Sequence, residues 1–324
     1  DTTRYTDFKK LLIGGAAFAT QLQASLSGGN EQTQFLLSGG YNRETTVYPG
    51  DLPNQRSSLH SSLAHQSLNQ AFRVSLTASY TSTRGKSNVS DLTGLLILPP
   101  NLPALYDSTG ALNWESGGIY FDNPLSYLLM QYNSTADNLL ANLNIQYKIS
   151  DGLHFKVSSG YNTLSFNETW LAPKTAQNPA YAPTGFAQIG TRLMKSWILD
   201  PHLEFRKQKG QGQWQLLGGA SWQQVSSRSL STSAYGYTND AQLGSLAGAA
   251  SLSADNSEQH YRYAALFGRI GYHLKSRYLL NLSGRWDGSS RFGPNRQFAA
   301  FGAVGGAWIF SKEPWLQKRA PFLS

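Results

Sequence analysis

The chain has 324 residues, a formal net charge of +8 and no cysteine. Only 14% of its residues are charged, where a soluble globular protein averages about 25%. Without cysteine, disulfides, thiol catalysis and cysteine zinc sites are excluded, and the scattered Lys and Arg form no basic run or recognition helix of the kind nucleic acid requires.

The opening, DTTRYTDFKK, has neither an initiator Met nor a basic-then-apolar signal peptide, so the expectation is a chain processed or excised from something longer. The composition is β-rich, with 17 Tyr, 15 Phe and 8 Trp. Weakly alternating segments come first, near 20–28, 33–45 and 57–65. The clearest strand follows: Phe72, Val74, Leu76, Ala78 and Tyr80 alternate with Arg73, Ser75, Thr77, Ser79 and Thr81, a period of two held over ten positions. After a long interruption, Leu139, Ala141, Leu143, Ile145, Tyr147 and Ile149 alternate with polar residues. Then Asp151-Gly152, a hairpin signal, leads to Leu153, Phe155, Val157 and Tyr161. Further copies lie near 196–207, 213–227, 261–273, 277–286 and 296–310, making about eleven strands.

Strand length separates two architectures. Soluble sandwiches use strands of about five or six residues, whereas a tilted membrane strand needs ~9–11; most of these are ~9–15. At ~3.3 Å per residue and ~40° tilt, the rings of Phe72 and Tyr80 stand roughly 20 Å apart along the membrane normal, the height of an apolar band between two aromatic girdles. The connections also alternate. Short turns at 28–32, 66–70, 150–152, 208–212 and 274–276 are interleaved with long ones at 46–56, 84–137, 168–195 and 228–260, and a shorter one at 287–295. Short turns on one rim and long loops on the other are the pattern of an outer-membrane barrel. Periodicity alone leaves open which face is outside. No run reaches the ~18 apolar residues of a membrane helix; the candidate at 95–98 is stopped by Pro99 and Pro100.

The stretch RYLLNLSGRWDGSSRFGPNRQFAAFGAVGGAWIFSKEPWL, residues 277–316, resembles a signature of the SusC/RagA class of TonB-dependent outer-membrane transporters. The pattern runs R-Y-L-L, then R-x-D-G-S-S-R-F-G, then a strand ending W-x-I-S-x-E-x-F/W-L. Arg285, Asp287, Gly288, Ser289, Ser290, Arg291, Phe292 and Gly293 fall on its centre, and Trp308, Ser311, Glu313, Trp315 and Leu316 on its end. The family's common Phe-Pro-Ser reads Phe301-Gly302-Ala303 here. Other blocks agree in order, among them LSGGNEQTQFLLSGGY, NPLSYL and KISDGLHFKVSSGYN. The resemblance therefore implies an all-β chain, residues 1–324, forming about eleven of the roughly twenty-two strands of a large antiparallel transmembrane β-barrel. Signal peptide, TonB box, plug and C-terminal strands are expected to lie elsewhere, the next strand opening at APFLS.

What the resemblance implies for function is an active importer of bulky nutrients, glycans or peptides, in the outer membrane of a Bacteroidota-type bacterium. Its partners would be the plug and other strands of the same transporter, a SusD-like lipoprotein, TonB through the plug, and lipid, with no cofactor or metal. A passive or structural barrel (adhesin or secretion-associated) and, further off, a soluble β-sandwich binding protein are the alternatives. Asp287 to Gly293 are expected as a tight outer loop, with glycines in the turn and Asp287 clasped by Arg285 or Arg291; shaping the wall is the plainer role, substrate contact the sharper. In the long outer loop at 84–137, Tyr106, Trp114, Tyr120 and Phe121 suit sugar stacking or partner packing; packing among the loops themselves is the other reading. The six histidines show no metal spacing, and no Ser-His-Asp set, carboxylate pair or phosphate loop stands in context. No enzymatic activity is expected.

Overall fold

The computed structural model describes residues 4–319; the expected strand opening at 320–324 lies outside them. A short helix, α1 (Phe8–Ile13), leads into β1 (Ala19–Gly29), β2 (Thr33–Glu44), β3 (Asn54–Gln66) and β4 (Phe72–Asn88). The long connection holds a two-residue ribbon, β5 (Glu115–Ser116) with β6 (Ile119–Tyr120), and one helical turn, α2 (Ser126–Leu129). Then come β7 (Gln131–Ser150), β8 (Leu153–Ala172), β9 (Gly185–Lys209), β10 (Gly212–Tyr237), β11 (Ser251–Leu274), β12 (Tyr278–Ser289) and β13 (Phe298–Trp308), with α3 (Pro314–Arg319) last. Leaving aside the ribbon, eleven strands form one sheet in sequence order, every neighbour antiparallel, with β1 and β13 at its two edges.

All eleven expected strands are present, but β7 to β11 run for 20 to 26 residues, far beyond the ~9–15 the alternation suggests. The loops shrink to match. The long loop expected at 84–137 spans 89–130, that at 168–195 spans 173–184, and that at 228–260 spans 238–250. The reason is solvent. Past the outer aromatic row water bathes both faces, and the ladder continues without any need for alternation.

Cross-strand register assigns every strand residue to a face. One face carries Leu22, Leu37, Leu59, Leu76, Leu203, Leu216, Ile270, Leu280 and Val304, all exposed. This band ends in rings on both sides: Phe72, Phe205, Trp214, Tyr278 and Trp308 toward the short turns, and Tyr80, Trp197, Trp222, Trp286 and Phe298 toward the long loops. Within β4, β9, β10 and β12 the paired rings are eight residues apart, about 20 Å along the normal of a tilted barrel. Between the two rows this face holds no Asp, Glu, Lys or Arg. The opposite face is polar, with Arg73, Asn144, Lys156, Asp200, Glu204, Arg269 and Arg285. Exposed apolar surface on this scale is stable only against lipid.

The turns close as their residues require. Gly152 sits at φ 82° after Asp151, and Lys275 and Ser276 both lie at φ 54°, the left-handed values of a tight hairpin. The packed core lies at the long-loop rim, where Phe8 and Leu12 of α1 join Leu92, Leu105 and Leu125. The Thr6 N–H donates to the Pro100 carbonyl at 2.7 Å. The long loop is thus half of a small core completed by α1, not a self-contained excursion.

Candidate functional site

Asn123 organises the long loop. It is fully buried; its Nδ2 donates to the carbonyls of Leu105 (2.6 Å) and Asn113 (2.9 Å), and its Oδ1 accepts from Leu125 N–H (3.0 Å). A buried amide with these partners satisfied holds a loop rigid. The sequence marked NPLSYL only as a block of resemblance; nothing in it announced three carbonyl and amide groups converging on one side chain.

Around that knot the four aromatics separate. Trp114 is 9% exposed and Phe121 packs on the α1 core, whereas Tyr106 is 55% and Tyr120 53% exposed. The structure brings Tyr106 and Trp114 together in a cavity of about 610 Å³ between the long loop and the β8–β9 loop, closed on the other side by Lys174, Thr175, Gln177 and Pro179. Tyr120 stands apart, its ring 6.3 Å from that of Tyr181, and Phe121 is structural. Asp107 faces the cavity; the Thr109 hydroxyl (2.6 Å), then the Thr109 N–H (2.8 Å) and the Ala111 N–H (3.0 Å), hold its carboxyl below the usual carboxylate range. The wall opposite is fixed by the β10–β11 loop. The Asp240 carboxylate accepts from the N–H groups of Lys174 (2.7 Å) and Thr175 (3.2 Å) and from the Thr175 hydroxyl (2.8 Å). One carboxylate, one lysine, two rings and a prolyl surface line a chamber of the size small ligands occupy, with no nucleophile and base paired within it.

The signature residues lie elsewhere on the same rim. Asp287, Gly288 and Ser289 belong to β12, and the turn runs over 290–297; neither Gly288 nor Gly293 takes a left-handed φ, the turn using Asn295 at φ 64°. Gly288 serves packing instead: a Cβ there would meet Cε1 of Phe298, its cross-strand partner, at 2.4 Å. Arg285, not Arg291, clasps Asp287, Nε to Oδ1 at 2.6 Å, and Tyr263, missed in the sequence, bridges them by donating to Asp287 at 2.9 Å and accepting from Arg285. Arg291 lies over the Tyr261 ring at 4.5 Å, a cation–π contact. Ser290 N–H donates to the Arg262 carbonyl, while Phe292 is exposed. The cluster pins β11 to β12 on the polar face.

Lower on that face is a second cavity of about 410 Å³, walled by Gln34, Arg73, Asn144, Gln146, Lys156 and His202. There Lys156 Nζ is 3.0 Å and His202 Nε2 3.5 Å from Glu204. Among the described residues no group of three His, Cys, Asp or Glu is placed to hold a metal ion.

A single antiparallel sheet with a charge-free apolar band, two aromatic rows, a polar reverse face and long loops on one rim defines the wall of a transmembrane β-barrel. The chain is 26% identical over 332 residues to TonB-dependent receptor P26 of Formosa agariphila, covering 98% of this chain and 32% of that protein. TonB-dependent receptor P3 of the same organism is 25% identical over 328 residues, with 96% and 32% covered. A stretch of 51 residues, 16% of this chain and 5% of the relative, is 39% identical to TonB-dependent receptor SusC of Bacteroides thetaiotaomicron. No family model matches. The fold superposes on the RagAB peptide transporter with a TM-score of 0.70 at 20% identity, over 96% of this chain and 36% of that one. The chain is therefore related to TonB-dependent receptors, SusC among them, which are receptors and transporters and not enzymes. It spans about a third of the length of the curated relatives it matches, and its eleven strands are about half of a barrel of roughly twenty-two.

Proposed function

We propose that the chain is part of the wall of an active importer in the outer membrane of a Bacteroidota-type Gram-negative bacterium. The plug and remaining strands of the same transporter would close and gate it, a SusD-like surface lipoprotein would lid it, and TonB would energise it through the plug region. The observation that carries the membrane reading is the exposed apolar face, free of charge between its aromatic rows. Import rests on the TonB-dependent relatives. The cargo is a bulky nutrient, glycan or peptide. The chamber of Tyr106 and Trp114 can stack on a sugar ring, and its Asp107 and Lys174 can meet the charged ends of a peptide. Capture would occur there, ahead of plug displacement and passage along the polar face.

Uptake of labelled oligosaccharide and peptide mixtures by cells making the full-length protein tests this reading. Uptake should stop when the proton-motive force is collapsed. Tyr106→Ala and Lys174→Ala should each lower it about tenfold, the size expected for one lost stacking or charge-assisted contact, while the heat-modifiable barrel band is unchanged. Uptake that survives collapse of the force would leave a passive barrel instead.

A further inference from the structure

The apolar face bears no charge between its aromatic rows, but immediately beyond the long-loop row it turns basic. Lys195 of β9 is one step along the same face from Trp197, and Arg262 of β11 lies across β10 from that ring, both paired with Gln224 (Trp197↔Gln224↔Arg262). Lys195 and Arg262 are exposed, and neither joins an ion pair among the described residues. Arg228 follows on β10 and His260 on β11; the one carboxylate of this strip, Glu258, is already engaged by Arg228 (2.7 Å) and His260 (2.8 Å). Below Arg262 the surface is hollow, and Lys195 stands beside that hollow, one step along its face from Trp197. A groove of about 470 Å³ runs between Trp197, Trp222 and Phe298, with Gln224, Arg262 and Ser290 at its upper edge.

We propose that this groove is a binding site for a phosphorylated lipid of the outer leaflet, its acyl root lying along Trp222 and Phe298 and its headgroup phosphate held by Arg262 and Lys195. An unpaired guanidinium and ammonium at headgroup depth favour an anion, and rings at that depth suit the boundary between acyl chain and headgroup. A protein partner would need no such division into an apolar floor and a cationic brim. The site rests on the barrel reading alone and is independent of import and its cargo.

The test uses the full-length protein in detergent micelles, with lipid A, dephosphorylated lipid A and inorganic phosphate as probes and native mass spectrometry plus quenching of tryptophan fluorescence as readouts. Lipid A should bind saturably, and its dephosphorylated form at least about tenfold more weakly, as expected when charge-assisted bonds to two cations are lost. Lys195→Gln or Arg262→Gln should weaken lipid A about fivefold each and the pair about twenty-fivefold, with Arg262→Lys recovering most of the loss. Inorganic phosphate should compete poorly, because it has nothing to fill the apolar floor. Equal binding of both lipid forms to the wild-type protein would overturn the proposal, and that comparison needs no variant to fold. Equal competition by phosphate would overturn the lipid assignment by reducing the site to a bare anion contact. The heat-modifiable band on the same samples reports the barrel separately, so loss of the fold and loss of the site are told apart.

Discussion

Glu313 shows how one side chain can fasten a rim. It is nearly buried, and its carboxylate accepts from the Tyr278 hydroxyl (2.5 Å), Trp308 Nε1 (3.1 Å) and Arg277 Nη1 (2.7 Å), so the segment after β13 is tied back to the start of β12. The Tyr278 hydroxyl first, then Trp308 and Arg277, hold its carboxyl below the usual glutamate range. A carboxyl depressed in the folded state lends stability above its unfolded value, about 4.3, and loses it as pH falls through the lower folded value. Amide protection of 310–319 should therefore be constant from neutral pH down to about 4 and fall below it, and Glu313→Gln should abolish that pH step. The same signature holds a second kind of fastening at Gly288. Because a Cβ there collides with the Phe298 ring, Gly288→Val should destabilise the barrel by about 1–3 kcal/mol, the cost of overpacking, read as a lower temperature for loss of the heat-modifiable band.

At the scale of elements the long-loop rim behaves as a set of interlocked loops. Asp240 caps a loop 65 residues earlier in the chain, so Asp240→Ala should speed amide exchange at Lys174 and Thr175 and proteolysis within 173–184, at a cost of about 1 kcal/mol for hydrogen bonds that water can partly replace, with the strands untouched. What the sequence made legible here follows the solvent. The run from Phe72 to Tyr80 reads plainly because lipid meets one side and water the other. From Arg84 and Lys86 onward both sides are wet, and β4 continues to Asn88 without a pattern to betray it. The apolar and aromatic character of the long loop was visible, but not its direction of packing, since Phe8 and Leu12 come from far earlier in the chain. The clasp of Arg285 and Asp287 was within reach of spacing alone, two residues apart on one strand. The third member, Tyr263, sits on the neighbouring strand, and only the register of β11 against β12 places it there.

For the whole molecule the two faces of the sheet decide everything else: which side meets lipid, where cargo would pass, and at what depth the basic brim lies. Among the described residues the edges β1 and β13 each leave a line of backbone donors and acceptors unpaired, which hydrocarbon does not tolerate, so the membrane account requires further strands to continue the sheet on both sides. The most direct measurement compares two neighbouring substitutions in the full-length protein. Leu76 and Thr77 are adjacent in β4, on opposite faces and midway between Phe72 and Tyr80. Leu76→Arg should place a charge near the bilayer midplane, destabilise the barrel by about 2–4 kcal/mol and sharply lower the amount assembled in the outer membrane, while Thr77→Arg, on the wet face, should assemble nearly as wild type. Assembly lost with Thr77→Arg and kept with Leu76→Arg would contradict the account, because the apolar face would then not be the one that meets lipid.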